Sequence, residues 1–204
     1  MLKLVLASQS PRRKKLLTQL GLIFEILPSN SEEIITSDVP STIVEDLSLR
    51  KAKEVAKSMP DSLIIGADTI VVHEGEILGK PKDQKDAFST LTKLSGSTHE
   101  VFTGISFVIT NSVNEVIKSH SFYEETKVSF SPLTPIEIES YIKTGSPMDK
   151  AGAYGIQDDW GSVFVERIEG DFYNVVGFPI NRFYRELKDF HPKMAHSFST
   201  HYSE

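Results

Sequence analysis

The sequence predicts a mixed α/β fold built around a mixed β-sheet. Short apolar runs typical of strands alternate with amphipathic helical stripes near the N-terminus, and the middle of the chain is rich in strands connected by a short turn. Because the strands and helices do not follow a strict βαβα order, a purely parallel sheet is not expected. The 204 residues, 39% of them hydrophobic, suffice for one large domain or two small lobes with a hydrophobic core.

The first three predicted elements are a strand, a helix and a second strand. Leu2–Leu6 is a short apolar run, and Ser10 can cap the helix that follows it, with Pro11 at the first helical position. Gly21 is expected to end this helix. The apolar run Leu22–Leu27 then predicts the second strand.

A polar connection leads to the second helix and to the most apolar strand of the chain. Thr42 and Glu45 form a capping-box pattern, which predicts a helix from there to about Met59. The run Leu63–Val72 predicts a buried strand that a turn-like Gly-Ala-Asp segment interrupts. The His-Glu-Gly-Glu segment that follows predicts a hairpin turn.

The second half of the chain begins with a helix and two paired strands. A helix is expected after Asp83, with its apolar residues on one stripe. An Asn/Ser turn joins the runs Val101–Thr110 and Val116–Phe130, which predicts antiparallel strands. Thr134 and Glu137 form a capping box that predicts the start of another helix.

Three predicted elements follow before the chain becomes polar. The runs Ser162–Ile168 and Phe172–Val176 predict a hairpin around Glu-Gly-Asp, and a last helix is expected from about Pro179 to Phe190. We expect residues 1–190 to form a single domain of two lobes, and residues 191–204 to form a polar, frayed C-terminal tail.

The composition argues against several classes of protein. The chain has no cysteine, which excludes disulfides and thiolate metal sites, and its histidines lack the spacing of a zinc site. The net charge of −6 argues against general coating of nucleic acid. No apolar run is long enough to span a bilayer or to act as a signal peptide, so we expect a cytoplasmic protein that does not bind a membrane.

Three common motifs of nucleotide-binding proteins and hydrolases are also absent from the sequence. Without a G-x-x-x-x-G-K-[ST] segment, the chain is not a P-loop NTPase. It contains neither a G-x-G-x-x-G dinucleotide fingerprint nor a G-x-S-x-G nucleophile elbow. Any anion site or catalytic group must therefore come from other residues.

The first predicted helix begins with an unusual concentration of positive charge: Arg12, Arg13, Lys14 and Lys15. The helix dipole already places partial positive charge there, so each exposed cation should cost about 0.3–1 kcal/mol. A polyphosphate at this helix start would remove the conflict, with Arg12 and the hydroxyls of Ser8 and Ser10 beside it. For Lys14 and Lys15, the alternative is an ordinary solvated face.

Lys51 and Asp68 are charged residues in apolar sequence surroundings. On a helix that advances about 100° per residue, Lys51 falls on the apolar stripe, so its ammonium must meet an anion or snorkel to water. Asp68 lies between Leu-Ile-Ile-Gly-Ala and Thr-Ile-Val-Val. An ionised carboxylate there needs a metal, a cation or several donors, and burial that raises its pKa would suit a general base. The alternative is that Asp68 ties down a local turn.

Three further segments give weaker signals. Glu32 and Glu33 follow the second predicted strand and are either solvated or help to hold a hard cation such as Mg²⁺, which prefers oxygen ligands. The segment Gly145–Gly161 is rich in small residues that allow close approach of a ligand, and Gln157 within it offers a donor and an acceptor to a nucleobase. Lys80 lies beside a turn in Leu-Gly-Lys-Pro.

Four segments, in this order, resemble the Maf family of septum-formation-inhibitor-like nucleotide pyrophosphatases: LASQSPRRKKLL, GADTIVV, LGKPKD and DKAGAYGIQ. The resemblance extends over about residues 2–187. It implies a fold akin to the inosine-triphosphate pyrophosphatases, in which helices flank an elongated central sheet and a cleft separates two lobes. It also implies hydrolysis of nucleoside triphosphates to the monophosphate and pyrophosphate with a divalent cation, Mg²⁺ or Mn²⁺.

The resemblance implies a role for each matching residue. Asp68 matches the aspartate described as the proton acceptor, and Asp68 and Glu33 would bind the metal. The substrate-binding positions match Ser8, Arg12, Arg13, Lys51, Thr69, Lys80 and Gln157. Arg12, Thr69 and Gln157 among them would select the substrate, and the KAGAYGIQ segment is similar to the branch that acts on dTTP and UTP. Where the family often continues with glycine, this chain has Asp158 and Asp159.

The sequence therefore predicts a cytoplasmic nucleoside triphosphate pyrophosphatase that removes damaged or surplus nucleotides. The resemblance implies a homodimer, and no stable binding to nucleic acid is expected. Two alternatives are open. The protein could be a non-enzymatic regulator of cell division that binds nucleotide or nucleic acid, or a phosphatase that releases orthophosphate stepwise.

Overall fold

The computed structural model of the chain describes residues 2–196, except for the side chains of Asp159 and His196. Residues 197–204, most of the predicted tail, lie outside the described residues. The strands are β1 (Lys3–Leu6), β2 (Glu25–Ile26), β3 (Ser62–His73), β4 (Glu76–Leu78), β5 (Thr98–Thr110), β6 (Val116–Phe130) and β7 (Val165–Glu169). The α-helices are α1 (Pro11–Gln19), α2 (Pro40–Ala56), α3 (Gln84–Leu94), α4 (Pro135–Lys143), α5 (Asp159–Phe164), α6 (Phe172–Val176), α7 (Ile180–Phe190) and α8 (Pro192–His196).

The strands of the described residues form a mixed sheet, which confirms the predicted fold class. Their hydrogen-bonded order is β2-β1-β3-β5-β6-β7, with β4 paired to β3 outside this path. Strand β1 runs parallel to both of its neighbours, so that Val5 is in register with Glu25 on one side and Ile64 on the other. The β3–β4 and β6–β7 pairs are antiparallel.

The chain divides into two compact units. Among the described residues, the first unit contains residues 2–68, 103–124 and 177–196, and the second contains residues 69–102 and 125–176. Strands β3, β5 and β6 contribute residues to both units. None of the helices in the described part of the chain combines the length and the apolar character that spanning a bilayer requires.

In the first unit, helix α2 lies directly against the backbone of two strands. A Cβ atom added to Gly66 of β3 would lie 2.0 Å from the Ser48 carbonyl oxygen, and one added to Gly104 of β5 would lie 2.2 Å from the Val44 carbonyl oxygen. Ser48 also shares a buried 2.7 Å hydrogen bond with Ser106 of β5. The missing side chains therefore let α2 approach the sheet closely, which sets the position of the charged residues on this helix. The core around this contact consists of Val5, Ala7, Ala52, Val55, Ala56, Ile64 and Val108.

We expect Gly66→Ala to lower the free energy of unfolding by about 2–3 kcal/mol, because the new methyl group meets helix backbone that cannot move alone. Gly79→Ala is the matched control, since its added Cβ has open space around it, and we expect it to change stability by less than about 0.5 kcal/mol. Urea unfolding of both variants measures the difference. Equal stability of the two would contradict the close packing of α2 on β3.

In the second unit, a histidine and a tyrosine form a buried polar pair. The Nε2 atom of His99 and the hydroxyl of Tyr154 are 2.8 Å apart, and the ring of Phe130 packs edge-on against both. The Nδ1 atom of His99 has no hydrogen-bond partner among the described residues. Burial lowers the pKa of His99 to about 3, with a smaller contribution from His73, so the imidazole is neutral in the folded protein.

This buried imidazole should make the protein sensitive to acid. The unfolded chain binds a proton with a pKa near 6.5, whereas the folded chain does not until about pH 3, so stability falls as the pH drops through this window. Between pH 7 and pH 5 the loss due to His99 should be about 2 kcal/mol. Urea unfolding at both pH values should show this loss in the wild type, and a smaller loss in the double variant His99→Leu/Tyr154→Phe. An identical loss in both proteins would contradict a neutral buried His99.

Most predicted elements occur, but the structure corrects three in the first half of the chain. The Gly-Ala-Asp segment does not interrupt β3, which is continuous from Ser62 to His73. Its glycine serves the close approach of α2 rather than a turn. The capping box at Thr42 and Glu45 is also wrong. The N-cap residue is Val39, so α2 starts three residues earlier than predicted, at Pro40, and proline favours the first helical position. The second predicted strand shrinks to two residues, β2.

One prediction near the C-terminal end also fails. The hairpin of Ser162–Ile168 with Phe172–Val176 does not form, because Ser162 lies in α5 and β7 pairs with β6. The second run is instead the helix α6, where the Asp171 side chain accepts the Asn174 N–H at 2.9 Å and stabilises the first turn. At the start of the predicted tail, Pro192–His196 forms the short helix α8.

Candidate functional site

The loop between β1 and α1 gathers hydroxyl and cationic groups of the first unit. The Ser10 Oγ accepts a hydrogen bond from the Arg13 main-chain N–H at 3.4 Å and caps α1, with Pro11 at the first position. Ser8 is buried, and its Oγ accepts hydrogen bonds from the Ser10 N–H at 3.3 Å and from the Arg13 guanidinium at 3.1 Å. The first turn of α1 has no acidic residue, so its cations lie at the positive end of the helix dipole.

Arg13 fixes this loop to the rest of the first unit. Its Nε donates a hydrogen bond to the Gly177 carbonyl at 3.0 Å, and its Nη1 donates one to the Ala67 carbonyl at 2.9 Å. Burial lowers the pKa of the guanidinium, and the neighbouring Asp68 opposes this effect. An arginine nevertheless stays charged in a protein, so Arg13 places a permanent cation next to the main chain that precedes Asp68.

Lys51, Glu33 and Asp68 form a charged cluster at the surface of α2. The Lys51 Nζ contacts Asp68 Oδ1 at 2.5 Å and Glu33 Oε1 at 2.7 Å. The Asp68 side chain is 8% exposed and that of Lys51 15%, whereas that of Glu33 is 62% exposed. The lysine on the apolar stripe of α2 therefore meets two anions, one buried and one at the surface. Packing of Gly66 against α2 brings Lys51 to this position.

The environment of Asp68 favours the protonated carboxyl more than water does. Burial raises its pKa above the ordinary value, and the charge of Glu33 acts in the same direction. Lys51 and Arg13 oppose this by favouring the carboxylate. A carboxylate whose pKa is raised is a stronger proton acceptor than an ordinary aspartate, which suits Asp68 to act as a general base.

Glu33 and Asp68 also fit a divalent cation in the kind of ligand they offer. Both carboxylates already contact one cationic group, the Lys51 ammonium, so they can share a cation. Mg²⁺ is held in proteins by one or two carboxylates together with water and substrate phosphates. Among residues 2–196, no group of three or more His, Cys, Asp or Glu side chains could hold a metal by itself. Glu33 and Asp68 therefore offer the number and the kind of carboxylate ligands that Mg²⁺ takes in proteins.

The structure places the other predicted site residues as follows. Arg12 is half-buried on α1, close enough to Arg13 for its charge to affect the pKa of that residue. Direct contacts in the first unit join Ser8 to Arg13, and Lys51 to Glu33 and Asp68. The two groups are close enough for the charge of Arg13 to affect the pKa of Asp68. Thr69, Lys80 and Gln157 belong to the second unit, where Thr69 is half-buried in β3 and the other two are exposed. Their place in a common site stays a prediction.

In the second unit, a buried lysine organises the loop that contains Gln157. The Lys150 Nζ lies 2.7 Å from Asp149 Oδ1 and 2.7 Å from Asp158 Oδ2, and it donates a 2.6 Å hydrogen bond to the Ser146 carbonyl. Burial acts to lower the pKa of Lys150, but the two aspartates outweigh it, so its pKa is raised and it stays charged. Gln157 Nε2 donates a hydrogen bond to Asp158 Oδ1 at 3.2 Å.

Sequence reasoning missed two parts of this arrangement. The carbonyls of Ala67 and Gly177 are main-chain partners of Arg13, and no side-chain pattern marks a main-chain acceptor. The link from Lys150 through Asp158 to Gln157 was also missed. A signal for the second was present, because a lysine and two aspartates in a segment rich in small residues suggest an ion pair.

The family model for Maf-like proteins matches residues 3–190, and the chain belongs to this family. A relative from Agathobacter rectalis, named dTTP/UTP pyrophosphatase, is 47% identical over 201 residues that cover 92% of this chain and 97% of the relative. A relative of the same name from Bacillus cereus is 48% identical over 198 residues, which cover 97% of this chain and all of the relative.

Two solved structures of low sequence identity are also similar. A HAM1 protein from Coxiella burnetii is 14% identical with a TM-score of 0.43, over 64% of this chain and 73% of the other. A nucleoside-triphosphatase, dITP/XTP pyrophosphatase, from Mycobacterium abscessus is 12% identical with a TM-score of 0.42 over the full length of both chains. At these values neither structure bears on the substrate of this chain.

Proposed function

We propose that the protein hydrolyses nucleoside triphosphates, preferably dTTP and UTP, to the nucleoside monophosphate and pyrophosphate. Two relatives that match nearly the whole chain carry the name dTTP/UTP pyrophosphatase. The observation that carries the proposal is the buried carboxyl of Asp68 among the cations Arg13 and Lys51. A protein that only bound an anion would gain nothing from a carboxylate at this place, whereas hydrolysis requires a proton acceptor.

The triphosphate is held by hydroxyl and cationic groups. Ser8, Arg12, Arg13 and Lys51 of the first unit and Lys80 of the second take this role. The start of α1 supports this role, because its first turn has no acidic residue and a phosphate there would meet the positive end of the helix dipole. Lys51 is paired with Glu33 and Asp68 in the free protein, and a phosphate chain offers its ammonium a further anion.

Asp68 accepts a proton from the attacking water. The water oxygen forms a bond to the α-phosphorus, and the bond from that phosphorus to the oxygen bridging to the β-phosphorus breaks. The electron pair leaves with pyrophosphate, and the proton of the water passes to the Asp68 carboxylate. The cations at the phosphate chain stabilise the negative charge that develops on the leaving group.

Glu33 and Asp68 would hold Mg²⁺ or Mn²⁺. When bound, such a cation supplies positive charge that polarises a phosphoryl oxygen and neutralises the leaving group. The base is selected by Arg12, Thr69 and Gln157, because polar groups that hydrogen-bond a pyrimidine reject analogues that leave them unpaired. Cytoplasmic location and assembly into a homodimer are further parts of the proposal, the first from the apolar pattern of the sequence and the second from family resemblance.

Release of pyrophosphate from a panel of nucleoside triphosphates, with and without Mg²⁺, tests the proposed function. We expect pyrophosphate and monophosphate as products, most rapidly from dTTP and UTP and only with the metal. A regulator that merely binds nucleotide would give no product. A stepwise phosphatase would give nucleoside diphosphate and orthophosphate, and either result would refute the proposal.

A further inference from the structure

Asp158 occupies a position where its side chain is normally expected to cap a helix. It is the residue before α5, yet its side chain makes no capping hydrogen bond to that helix. Both carboxylate oxygens are instead directed to other groups. Oδ2 pairs with the Lys150 ammonium at 2.7 Å and accepts a hydrogen bond from the Ser146 hydroxyl at 2.9 Å. Oδ1 accepts the hydrogen bond from Gln157 Nε2 at 3.2 Å.

The ion pair with Lys150 holds the Asp158 carboxylate in one orientation. The Lys150 side chain is 9% exposed, and its ammonium can only donate, so Oδ2 must stay directed toward it. A Cβ atom at Gly155 would lie 2.5 Å from Oδ2 and 2.7 Å from the Lys150 Cε, which means that the pair is packed against the main chain. The orientation of the carboxylate is therefore set by the fold and leaves Oδ1 for Gln157.

A carboxylate oxygen accepts hydrogen bonds and cannot donate them, which fixes the orientation of the Gln157 amide. The Nε2 side must face Asp158, and the carbonyl Oε1 with the second N–H is left for a ligand. If the amide turned by 180°, its oxygen would face the carboxylate, which is repulsive. Asp158 thus determines which end of the Gln157 amide accepts and which end donates.

We propose that Asp158 is a positioning residue that orients the Gln157 amide so that this site selects a base with an N3–H group, uracil or thymine, against cytosine. This inference rests on the proposed function, in which Gln157 contacts the base. Uracil and thymine present a donor at N3 next to an acceptor at O4, which match Oε1 and the second N–H. Cytosine presents an acceptor at N3 next to a donor amino group, which would match only the reversed amide.

Asp158→Asn gives the sharpest test, because it changes one atom. The Lys150 ammonium and the Ser146 hydroxyl need an acceptor, so the new amide oxygen should take the place of Oδ2 and the new amino group that of Oδ1. Gln157 would then turn its oxygen toward residue 158 and its amino group toward the base. The preference for uridine over cytidine nucleotides should fall by about tenfold or more, because a matched pair of hydrogen bonds becomes mismatched.

Affinities for the α,β-methylene analogues of UTP and CTP, measured by calorimetry, give this preference without any hydrolysis. Asp149→Asn is the matched control, because it removes the other carboxylate from Lys150 and leaves the Asp158–Gln157 hydrogen bond in place. The preference is the dissociation constant of the CTP analogue divided by that of the UTP analogue. We expect Asp149→Asn to keep the wild-type value of this ratio. Gln157→Ala should lower the ratio toward that of a protein that does not read N3. The melting temperatures of Asp158→Asn and Asp149→Asn show whether loss of an ion pair with Lys150 lowers the stability of the protein.

An unchanged ratio in Asp158→Asn, together with a reduced ratio in Gln157→Ala, would overturn the positioning role and leave the proposed function intact. An unchanged ratio in Gln157→Ala would overturn it as well. Pyrophosphate release from UTP by the wild type is followed in parallel. Its absence, with selective binding retained, would refute the proposed function and not the role of Asp158. Absence of binding to either analogue would overturn both.

Discussion

Asp68→Asn is expected to lower kcat for UTP by about 10²–10⁴-fold, while the affinity for the nucleotide changes only a few-fold. The factor is the usual contribution of a positioned general base, and the amide cannot accept the proton of the attacking water. Binding should persist because the contacts to phosphate are assigned to other groups, the hydroxyl of Ser8 and the cations. Steady-state kinetics and calorimetry with the α,β-methylene analogue of UTP separate the two effects.

The Glu33→Gln variant provides a control for the charge removed in Asp68→Asn. It removes the other carboxylate that contacts Lys51, but it leaves the proposed proton acceptor in place. Because Glu33 is also assigned to the metal, we expect this variant to require more Mg²⁺, and at saturating Mg²⁺ to lose less of kcat than Asp68→Asn. Equal losses in the two variants would assign the effect to local charge, and full activity of Asp68→Asn would remove Asp68 from the mechanism.

The pH dependence of wild-type activity should show the titration of the Asp68 carboxyl. A base must be ionised to accept a proton, so activity is present above the pKa of Asp68 and is lost as the pH falls through it. Because burial raises this pKa, the acid limb of kcat/KM in the free enzyme should lie at higher pH than that of an ordinary aspartate. An acid limb at the ordinary position or below it would contradict the burial of the base.

Arg13→Ala is expected to have the largest effect on stability, with the free energy of unfolding lowered by about 4 kcal/mol. The change removes hydrogen bonds from a charged donor to the carbonyls of Gly177 and Ala67 and to the hydroxyl of Ser8. Hydrogen bonds that involve a charged group contribute about 1.5–3 kcal/mol each, and their effects do not add fully. Urea or thermal unfolding measures the loss.

Two further variants distinguish the fork geometry of Arg13 from its charge. Arg13→Lys keeps the positive charge but cannot donate in the same directions, so it should recover less than half of the lost stability. Arg185→Ala removes an exposed arginine that donates to the Asn181 side chain one helical turn away, and it should cost less than about 0.5 kcal/mol. Full recovery in Arg13→Lys would mean that charge alone fixes the loop.

Much of the fold could be predicted because several local signals agree. The capping box at Thr134 and the N-cap Asp83 start helices as predicted, and the hairpin turn after β3 contains Glu74 and Gly75 with positive φ. The prediction failed where a tertiary contact outweighed the local pattern. Gly66 resembles a turn residue in the sequence, but its function is to admit α2, which no local pattern reveals.

The charged residues of the site could be recognised for a similar reason, since charge in an apolar stretch requires an explanation. Lys51 and Asp68 were selected on that ground, and they contact each other in the folded protein. That they pair with each other could not be derived from the sequence, because seventeen positions separate them and only the packing of α2 on β3 brings them together. Arg13 also donates hydrogen bonds to two main-chain carbonyls, and such bonds cannot be predicted from residue types.

Hydrolysis of UTP in ¹⁸O-labelled water, with mass analysis of both products, tests the central claim most directly. Attack of water on the α-phosphorus predicts one labelled oxygen in UMP and none in pyrophosphate. Label in pyrophosphate would place the attack on the β-phosphorus. Formation of UDP with labelled orthophosphate would replace the proposed reaction by removal of the terminal phosphate, and either result would contradict the account.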